Sequence, residues 1–403
     1  MNVIYLHQYF CTPSMSSGTR SYEMARRLVK RGHKVYMISS KHSHSGFKEK
    51  NFSFEEGISV WWLPVKYSNN MSFFQRIYSF IVYCIFAYRI GRKLNYELVF
   101  ASSTPLTVAI PGIFLSKIKK VPFVLEVRDL WPAIPIELKI IRNTLLIKLS
   151  QYLERISYHL SDKIIALSNG MREGIVDTGI KESKITVIPN GSDIELFNIN
   201  SKLDNGLIAQ NDWIDTDKDI IIYSGAIGRV NGLSYMAFMA EEMIKLNPSV
   251  LFCIIGDGIE KDKVNLLAKK LGILNNNFYM VPKMSKKKLP QILSISTVLT
   301  SFVINEKILW NNSANKFFDG LASGKPIMIN YEGWQADILY QYSAGIVVPP
   351  DDPIAGAKKL YNLLEDKKRL QSFGQAGLEL AKTVFNRNEL YKSFENVLLE
   401  VSD

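Results

Sequence analysis

A cation and a carboxylate share one face of a short predicted helix in the segment NKFFDGLASGKPIMIN, residues 315–330. Ser313 is the expected N-cap, so free backbone N–H groups and the charge of Lys316 would meet an anion at the helix start, beside Asn315. Asp319 lies three positions after Lys316, where its carboxylate can accept hydrogen bonds from a vicinal diol. The pattern suits a nucleoside diphosphate with its ribose, and a surface amphipathic helix is the plainer alternative.

A second candidate is the glycine-bounded loop GAIGRVNG, residues 225–232, which follows an apolar strand at residues 220–224. Glycines allow the backbone and Arg229 to approach a phosphate closely. Gly18 precedes the first predicted helix, whose N-terminus could meet a diphosphate in the same way. The alternatives are a solvated arginine for the first feature and an ordinary tight turn for the second.

Charged residues directly follow another apolar strand, in the segment EVRDLWP at residues 126–132. Charges at the end of a buried strand are more often functional than structural, so Arg128 and Asp129 are candidate catalytic residues. Neither a Walker A loop nor a GxGxxG sequence follows the first strand, which argues against a kinase or a nicotinamide-dependent enzyme.

The spacing of ligand-type residues gives no support to metal chemistry. An Asp-x-Asp at residues 215–217 lies in a polar stretch and is expected to be solvated, and the five histidines show no metal-ligand spacing. We therefore expect no metal and no cofactor. No signature of a nucleic-acid-binding module is present, so we expect no nucleic-acid partner, and nothing indicates an obligate protein partner.

The elements that must position these residues alternate between strand and helix in both halves of the chain. Near-continuous apolar strands run from residues 3–7 to 185–188 and again from 219–224 to 327–329, which predicts parallel sheets covered on both faces. The sequence thus predicts an α/β protein with two doubly wound, Rossmann-like domains. In such domains ligands bind at the carboxyl ends of the strands, here in a cleft between the two.

A polar stretch at residues 198–218 contains few apolar residues and marks the expected domain boundary. We predict an N-terminal domain over residues 1–197 and a C-terminal domain over residues 198–386. The last helix, in residues 387–403, has no strand after it and could return to the N-terminal domain.

The excess positive charge lies entirely in the first half of the chain. Residues 1–200 hold 26 Lys+Arg against 15 Asp+Glu, and the remainder is balanced. This asymmetry indicates an anionic partner, which could be a membrane surface, a nucleic acid or a phosphorylated substrate. An apolar run at residues 77–88 has only 12 residues, too few for the roughly 20 that span a bilayer. It is either a buried core helix or an interfacial helix anchored by its aromatic and basic flanks.

Taken together, the motifs resemble a known family of enzymes. Their order along the chain is a Gly18 loop, Pro189-Asn190-Gly191, Tyr223-Ser224-Gly225, and Asn315…Asp319…Gly324-Lys325-Pro326. This order resembles a GT-B glycosyltransferase of family four, whose members retain the anomeric configuration. The N-terminal sequence is similar to that of the WbuB-type transferases of O-antigen and capsule gene clusters. The similar segments are HQYFCTP…SGTRSYEMARRLVKRGHKV and EVRDLWP.

The resemblance implies roles for the donor-side residues. Asn315 and Lys316 fall at the family's diphosphate-binding helix start, and Asp319 falls where the family has a ribose-binding Glu. Asn231 occupies the position of a diphosphate-binding Lys, so Arg229 in the same loop could supply the missing cation. Three departures from the family pattern concern Ala226, which replaces an Arg, Asn311, which replaces a second acid, and Arg128, which replaces a His.

The expected function is therefore that of a retaining glycosyltransferase acting in O-antigen or capsular polysaccharide biosynthesis. It would move a hexose-type residue, such as N-acetyl-L-fucosamine, from a UDP-sugar to an undecaprenyl-diphosphate-linked acceptor at the inner face of the cytoplasmic membrane. Three widely separated cysteines, without a disulfide framework, fit a reducing compartment. The alternatives are a nucleotide-sugar epimerase or hydrolase of similar fold, and a non-catalytic basic membrane-binding protein.

Overall fold

A computed structural model of the chain describes residues 1–15, 18–41, 51–65, 71–197 and 213–402. The chain forms two compact units: the first takes Met1–Thr12, Gly18–Pro189 and Asn388–Asp403, and the second takes Pro13–Ser17 and Asn190–Arg387. The chain thus leaves the first unit at Pro189, ahead of the boundary predicted at residue 197, and its last helix belongs with the first unit. Most of the predicted polar boundary, residues 198–212, lies outside the described residues.

The first unit is built on an eight-stranded sheet. Its strands are β1 (Asn2–Leu6), β2 (Lys34–Ser40), β3 (Phe52–Glu55), β4 (Ile58–Leu63), β5 (Leu98–Ser102), β6 (Phe123–Val127), β7 (Lys163–Ala166) and β8 (Ile185–Val187). Their order across the sheet is β3-β4-β2-β1-β5-β6-β7-β8. Neighbouring strands are parallel except for the antiparallel β3–β4 pair at the edge, which the sequence pattern did not predict.

Helices cover this sheet on both sides. They are α1 (Arg20–Lys30), α2 (Phe73–Gly91), α3 (Ala109–Lys119), α4 (Ala133–Glu137), α5 (Thr144–Leu160) and α6 (Asn169–Val176). Local sequence sets several starts: Asn143 caps α5 by accepting hydrogen bonds from two backbone N–H groups, and Ser72 forms a capping box with Gln75 at α2. Within the described ranges, no helix combines the length and the hydrophobicity needed to cross a bilayer.

The second unit is built on a six-stranded sheet whose strands are all parallel. The strands are β9 (Ile220–Ala226), β10 (Leu251–Asp257), β11 (Phe278–Val281), β12 (Val298–Ser301), β13 (Ile327–Ile329) and β14 (Gly345–Val347), in the order β11-β10-β9-β12-β13-β14. Its helices are α7 (Ser234–Leu246), α8 (Lys261–Lys270), α9 (Leu289–Ser294), α10 (Asn315–Ala322), α11 (Trp334–Tyr342), α12 (Pro353–Glu365) and α13 (Lys367–Lys382).

The last helix, α14 (Arg387–Glu400), packs on the first unit. The ring of Phe394 lies 5.0 Å from that of Phe100 in β5, in an edge-to-face arrangement. Glu395 lies 3.0 Å from the His33 ring, next to the start of β2. Apolar and polar contacts therefore both hold the end of the chain against the N-terminal sheet.

Each sheet contains a point at which successive connections leave in opposite directions. In the first unit β1 lies between β2 and β5, and in the second unit β9 lies between β10 and β12. The helices that follow neighbouring strands diverge there, which leaves a crevice at the carboxyl ends of the strands. The candidate residues therefore belong at the β1/β5 and β9/β12 positions.

A fully buried ion pair fastens the first unit together. Arg20, the first residue of α1, donates from Nε to Glu126 of β6 at 2.8 Å, and neither side chain is exposed. The other arginine nitrogens donate to the carbonyls of Pro189 at 2.6 Å and Ile188 at 3.0 Å, and the Ser102 hydroxyl donates to Glu126 at 2.6 Å. Burial alone would raise the pKa of Glu126, but the neighbouring arginines and these hydrogen bonds hold it below its ordinary value.

We predict that Arg20→Met lowers the free energy of unfolding of the first unit by about 3–5 kcal/mol, because it leaves the charge of Glu126 buried without a partner. Urea unfolding followed by circular dichroism measures the loss. The matched control is Arg31→Met at the C-cap of the same helix, whose exposed guanidinium lies 3.4 Å from Glu395 and should contribute less than about 1 kcal/mol. Equal losses in the two variants would contradict the prediction.

Candidate active site

The end of β9 and the start of α10 meet at the switch point of the second unit. The Lys316 ammonium lies 4.8 Å from the centroid of the Tyr223 ring, a cation–π contact. A Cβ added to Gly225 would lie 2.9 Å from Cε of Lys316, so the end of this lysine side chain lies directly against the glycine. Burial lowers the pKa of Lys316 to about 8, against the opposing effect of the Asp319 carboxylate. The predicted cation and the predicted glycine loop are thus neighbours.

The predicted N-cap of α10 was wrong. The cap residue is Ala314, which has no capping side chain, and its N–H donates to the Asn312 amide oxygen at 3.1 Å. The Ser313 hydroxyl instead accepts from the backbone N–H of Asn190 at 3.0 Å, and the Asn190 side chain donates to the Ser313 carbonyl. The Ser313 hydroxyl, which the sequence assigned to the helix cap, is therefore hydrogen-bonded to the Pro189-Asn190-Gly191 turn instead. Asn315 remains the first helical residue, as predicted.

Asp319 lies on α10 as predicted, but its surroundings were not foreseen. Its side chain is buried, and Oδ2 accepts a hydrogen bond from the ammonium of Lys286. Burial raises the pKa of Asp319, and Lys286 opposes that shift. Lys286 was missed because it stands in the run Lys286-Lys287-Lys288, which is typical of a solvated surface, and only the first of the three is buried.

The loop after β9 places two further candidates differently. Arg229 begins a short 3-10 turn, Arg229–Asn231, with its side chain 72% exposed and its Nε 4.0 Å from a Glu260 carboxylate oxygen. Asn231 is buried, and its amide oxygen accepts from the backbone N–H of Gly228 at 3.2 Å. Gly232 follows with a φ of +56°, which glycine adopts without strain. Arg229 is therefore free to reach an anion, whereas Asn231 shapes the loop.

In the first unit, Arg128 lies beside a histidine at the β1/β5 switch point. A guanidinium nitrogen of Arg128 is 3.3 Å from Nε2 of His7, and Nδ1 of His7 is 3.3 Å from the carbonyl oxygen of Ser102. Because a carbonyl oxygen can only accept a hydrogen bond, Nδ1 of His7 must carry the proton. Nε2 of the neutral imidazole then accepts a hydrogen bond from Arg128. His7 thus holds Arg128 in place, a contact between the ends of β1 and β6 that the sequence alone did not predict.

Asp129 follows on the same loop and is exposed, and its Oδ2 accepts from the Thr104 hydroxyl at 3.2 Å. Gly18 stands two residues before α1, whose cap residue Thr19 makes no capping hydrogen bond through its side chain. The three candidates of the first unit all follow central strands of its sheet, since Gly18 lies in the β1–α1 connection and Arg128 and Asp129 come after β6.

Acidic residues elsewhere do not assemble into a metal centre. Asp215 pairs with Lys218 at 3.2 Å and accepts from the backbone N–H of Asp217, so this Asp-x-Asp forms a turn before β9. Across the part of the chain that the structure describes, no group of three or more His, Cys, Asp or Glu side chains is arranged to hold a metal ion. What the described candidates offer is cations, backbone amides and one buried carboxylate.

Both halves of the chain match known protein families. Residues 17–196 match the family described as Glycosyltransferase Family 4, and residues 207–380 match Glycosyl transferases group 1. The two matched segments follow one another and correspond closely to the N-terminal and C-terminal sheets.

Individual relatives are more distant. The chain is 24% identical over 295 residues, 69% of its own length and 70% of the relative's, to WcaI of Escherichia coli (strain K12), which is named as a colanic acid biosynthesis glycosyl transferase. Among solved structures, sucrose-phosphate synthase from Thermosynechococcus elongatus aligns with a TM-score of 0.77 at 14% identity, covering 99% of this chain and 98% of that one. The Anabaena protein HepE in complex with UDP-glucose aligns with a TM-score of 0.71 at 14% identity, covering 99% and 100% of the two chains.

These matches agree with the architecture described above, in which two α/β units each carry a mainly parallel sheet. The chain is a glycosyltransferase with the GT-B fold, composed of a family 4 domain followed by a group 1 domain.

Proposed function

We propose that this protein is a retaining glycosyltransferase that moves a sugar from a UDP-sugar to an undecaprenyl-diphosphate-linked acceptor in surface polysaccharide assembly. The observation that carries the proposal is the pair of opposite charges on α10, Lys316 and Asp319, beside the Gly225 loop at the switch point of the second sheet. The likeness to HepE, solved with UDP-glucose, supports the donor, and the likeness to WcaI supports a polysaccharide product. A hexose-type residue such as N-acetyl-L-fucosamine remains our proposal for the transferred sugar.

The proposed chemistry depends on stabilising a leaving group. As the bond between the anomeric carbon and the diphosphate oxygen breaks, the electron pair stays on that oxygen and negative charge grows on the diphosphate. Lys316, the N–H groups at the start of α10 beside Asn315, and the exposed cation of Arg229 would offset this charge. The acceptor hydroxyl then forms the new bond on the face that the diphosphate leaves, and its proton passes to the departing phosphate oxygen.

The first unit carries candidate residues of its own. Gly18 has no side chain and lies just before α1, whose N-terminal N–H groups would meet a phosphate. Arg128, held by His7, presents a cation. Asp129 is exposed next to it and can accept a hydrogen bond from a sugar hydroxyl. In the second unit, the amide oxygen of Asn231 already accepts a hydrogen bond from Gly228. Only the NH₂ group of Asn231 would therefore be left to contact the UDP-sugar.

We expect UDP to bind the full chain, and Asp319→Ala to weaken that binding by about 1–3 kcal/mol through loss of a charged hydrogen-bond acceptor. Titration calorimetry measures the affinities. Asp337→Ala, which removes an exposed carboxylate from α11, is the control and should leave the affinity unchanged. Unchanged UDP affinity in Asp319→Ala would remove this carboxylate from the site, and donor hydrolysis without any acceptor would favour a hydrolase.

The affinity for UDP should fall above pH 8. Lys316 has a pKa lowered to about 8, so it carries its charge at pH 7 and has lost most of it at pH 9. If the diphosphate binds the charged form, UDP binds about tenfold more weakly at pH 9 than at pH 7. Lys316→Arg keeps its charge over this range and should flatten the dependence, as calorimetry at several pH values would show. A variant with the same pH dependence as the natural protein would contradict the assignment.

Neutralisation of the leaving group by side-chain cations predicts metal-independent activity. Turnover should persist in EDTA, whereas Arg229→Ala should reduce it about 10²–10³-fold through loss of one cation at a developing charge. Lys263→Ala, which removes an exposed lysine that also contacts Glu260, is the matched control. Activity that disappears in EDTA and returns with Mn²⁺ would refute metal independence. Near-normal turnover of Arg229→Ala would show that another residue stabilises the leaving diphosphate.

A surface on the first unit fits the proposed placement at a membrane. The helices α2, α3 and α5 are neighbours, and stripes of large apolar side chains on them face solvent. These side chains are Phe74, Tyr78, Ile81 and Ile85 on α2, Phe114 and Ile118 on α3, and Leu145, Leu149 and Tyr152 on α5. We name this set of nine residues the apolar face. The run at residues 77–88 is therefore neither wholly buried nor wholly interfacial, since Tyr83 and Ala87 enter the core.

Charge around the apolar face is of one sign. Exposed basic residues border it: Arg89, Arg92, Lys93, Lys117, Lys119, Lys120, Lys148 and Arg155. Glu154 is the sole acidic residue in the three helices, and it is buried, which raises its pKa to about 7. Apolar side chains ringed by cations suit an anionic bilayer, where each basic residue contributes roughly 1 kcal/mol.

We expect the full chain to float with vesicles that contain anionic lipid, and less with neutral vesicles or in 1 M salt, because screening shortens the reach of the charges. Replacing Lys117, Lys119 and Lys120 by Gln should weaken binding roughly 100-fold. Leu149→Glu should also weaken it, whereas Leu266→Glu, at an exposed leucine of the second unit, should not. Equal flotation with anionic and neutral vesicles would show that the basic residues serve another partner.

A further inference from the structure

A lysine with almost no contact to solvent is held inside the second unit. Lys286 comes from the segment between β11 and α9, and its side chain is 8% exposed. Its ammonium donates to Oδ2 of Asp319 and lies 4.8 Å from the centroid of the Phe197 ring. A buried ammonium is costly unless it is paired, so the carboxylate and the aromatic ring are what allow Lys286 to be there.

The other oxygen of the same carboxylate has no partner. Oδ1 of Asp319 is buried and accepts no hydrogen bond from any residue that the structure describes. The other charged groups that face this carboxylate are Lys316 on its own helix, Asp193 and Arg387. Nε of Arg387 lies 2.7 Å from a carboxylate oxygen of Asp193 and its Nη2 donates to the carbonyl of Gly191, while its Nη1 is buried and makes no hydrogen bond to any described residue. A buried anionic acceptor without a donor is uncommon in proteins and is explained when a ligand supplies the donor.

We propose that Lys286 is a positioning residue of the donor site: it holds one oxygen of Asp319 and leaves the other to accept a hydrogen bond from a ribose hydroxyl. This inference rests on the proposed use of a UDP-sugar. Lys316 and Asp319 are three residues apart on one face of α10, so an acceptor for the ribose and a cation for the diphosphate face the same side.

The ammonium has two effects that packing alone would not have. It restricts the rotation of a short side chain, so that Oδ1 points in one direction. It also favours the ionised carboxylate in a place where burial raises its pKa. Without Lys286 burial would raise the pKa further, and a protonated carboxyl group has less preference for a hydroxyl donor. The proposal therefore predicts a change in nucleotide discrimination, which a purely structural ion pair would not affect.

The test compares the full chain and its variants by titration calorimetry with UDP, 2′-deoxy-UDP and 3′-deoxy-UDP at pH 7. We expect the natural protein to bind UDP about tenfold more tightly than the analogue that lacks the contacted hydroxyl. Lys286→Met should reduce that preference to less than about twofold, and Lys286→Arg should keep most of it. Lys287→Met removes the same charge from the exposed neighbouring residue and should change nothing.

Thermal unfolding of each variant separates loss of discrimination from loss of structure. Where Lys286→Met does not fold, Lys286→Gln, which keeps a donor without the charge, decides the question. A natural protein that does not bind UDP would refute the proposed donor, independently of Lys286. The role of Lys286 would be overturned if the natural protein prefers UDP over the deoxy analogue and a folded Lys286→Met or Lys286→Gln variant shows the same preference.

Discussion

The buried pair of Arg20 and Glu126 is the interaction on which the first unit depends. Two charges without solvent are stable only when every polar atom finds a partner, and here the guanidinium also takes the carbonyls of Ile188 and Pro189 while Ser102 takes the second carboxylate oxygen. The pair therefore ties the start of α1, the middle of the sheet and the end of the unit to one another. Arg20 follows Gly18 by two residues, and Glu126 precedes Arg128 by two residues.

The same topological rule places the candidates in both units. A parallel sheet whose connections diverge at a central strand opens a crevice at the carboxyl ends, and both sheets have such a point. In the second unit it brings the Gly225 loop against Lys316, and in the first it brings Arg128 against His7. Residues far apart in sequence meet there because each follows a strand of the same sheet.

Burial changes what these residues can do. Lys316 has a pKa near 8 because protein surrounds it, so its charge can respond to a ligand within the physiological range. Asp319, also buried, keeps a partner on only one oxygen. Arg229 remains exposed, which leaves it able to move toward a developing charge but gives it no fixed position. The candidate site of the second unit thus combines a largely enclosed cation, Lys316, with an exposed one, Arg229.

Much of the fold could be predicted from the sequence, because it depends on local patterns. Near-continuous apolar strands with intervening helices are sufficient for two mainly parallel sheets, and β13 begins and ends where the pattern placed its strand. The helix start at Asn315 and the charges on one face of α10 follow from spacing of 3.6 residues per turn. The position of Lys316 and Asp319 on the same helix face was therefore available without any structure.

The tertiary structure alone decided which polar groups are paired with one another. Ser313 has the side chain of a helix cap, but Asn190, 123 residues away, takes its hydroxyl. Lys286 looks like its two lysine neighbours, yet only folding buries it against Asp319. Hydrogen bonds and ion pairs between distant segments depend on which strands become neighbours, and no local pattern records that. The sequence by itself determined the elements, their order and the chemical types at the crevices, and the packing of the sheets decided their partners, burial and charge.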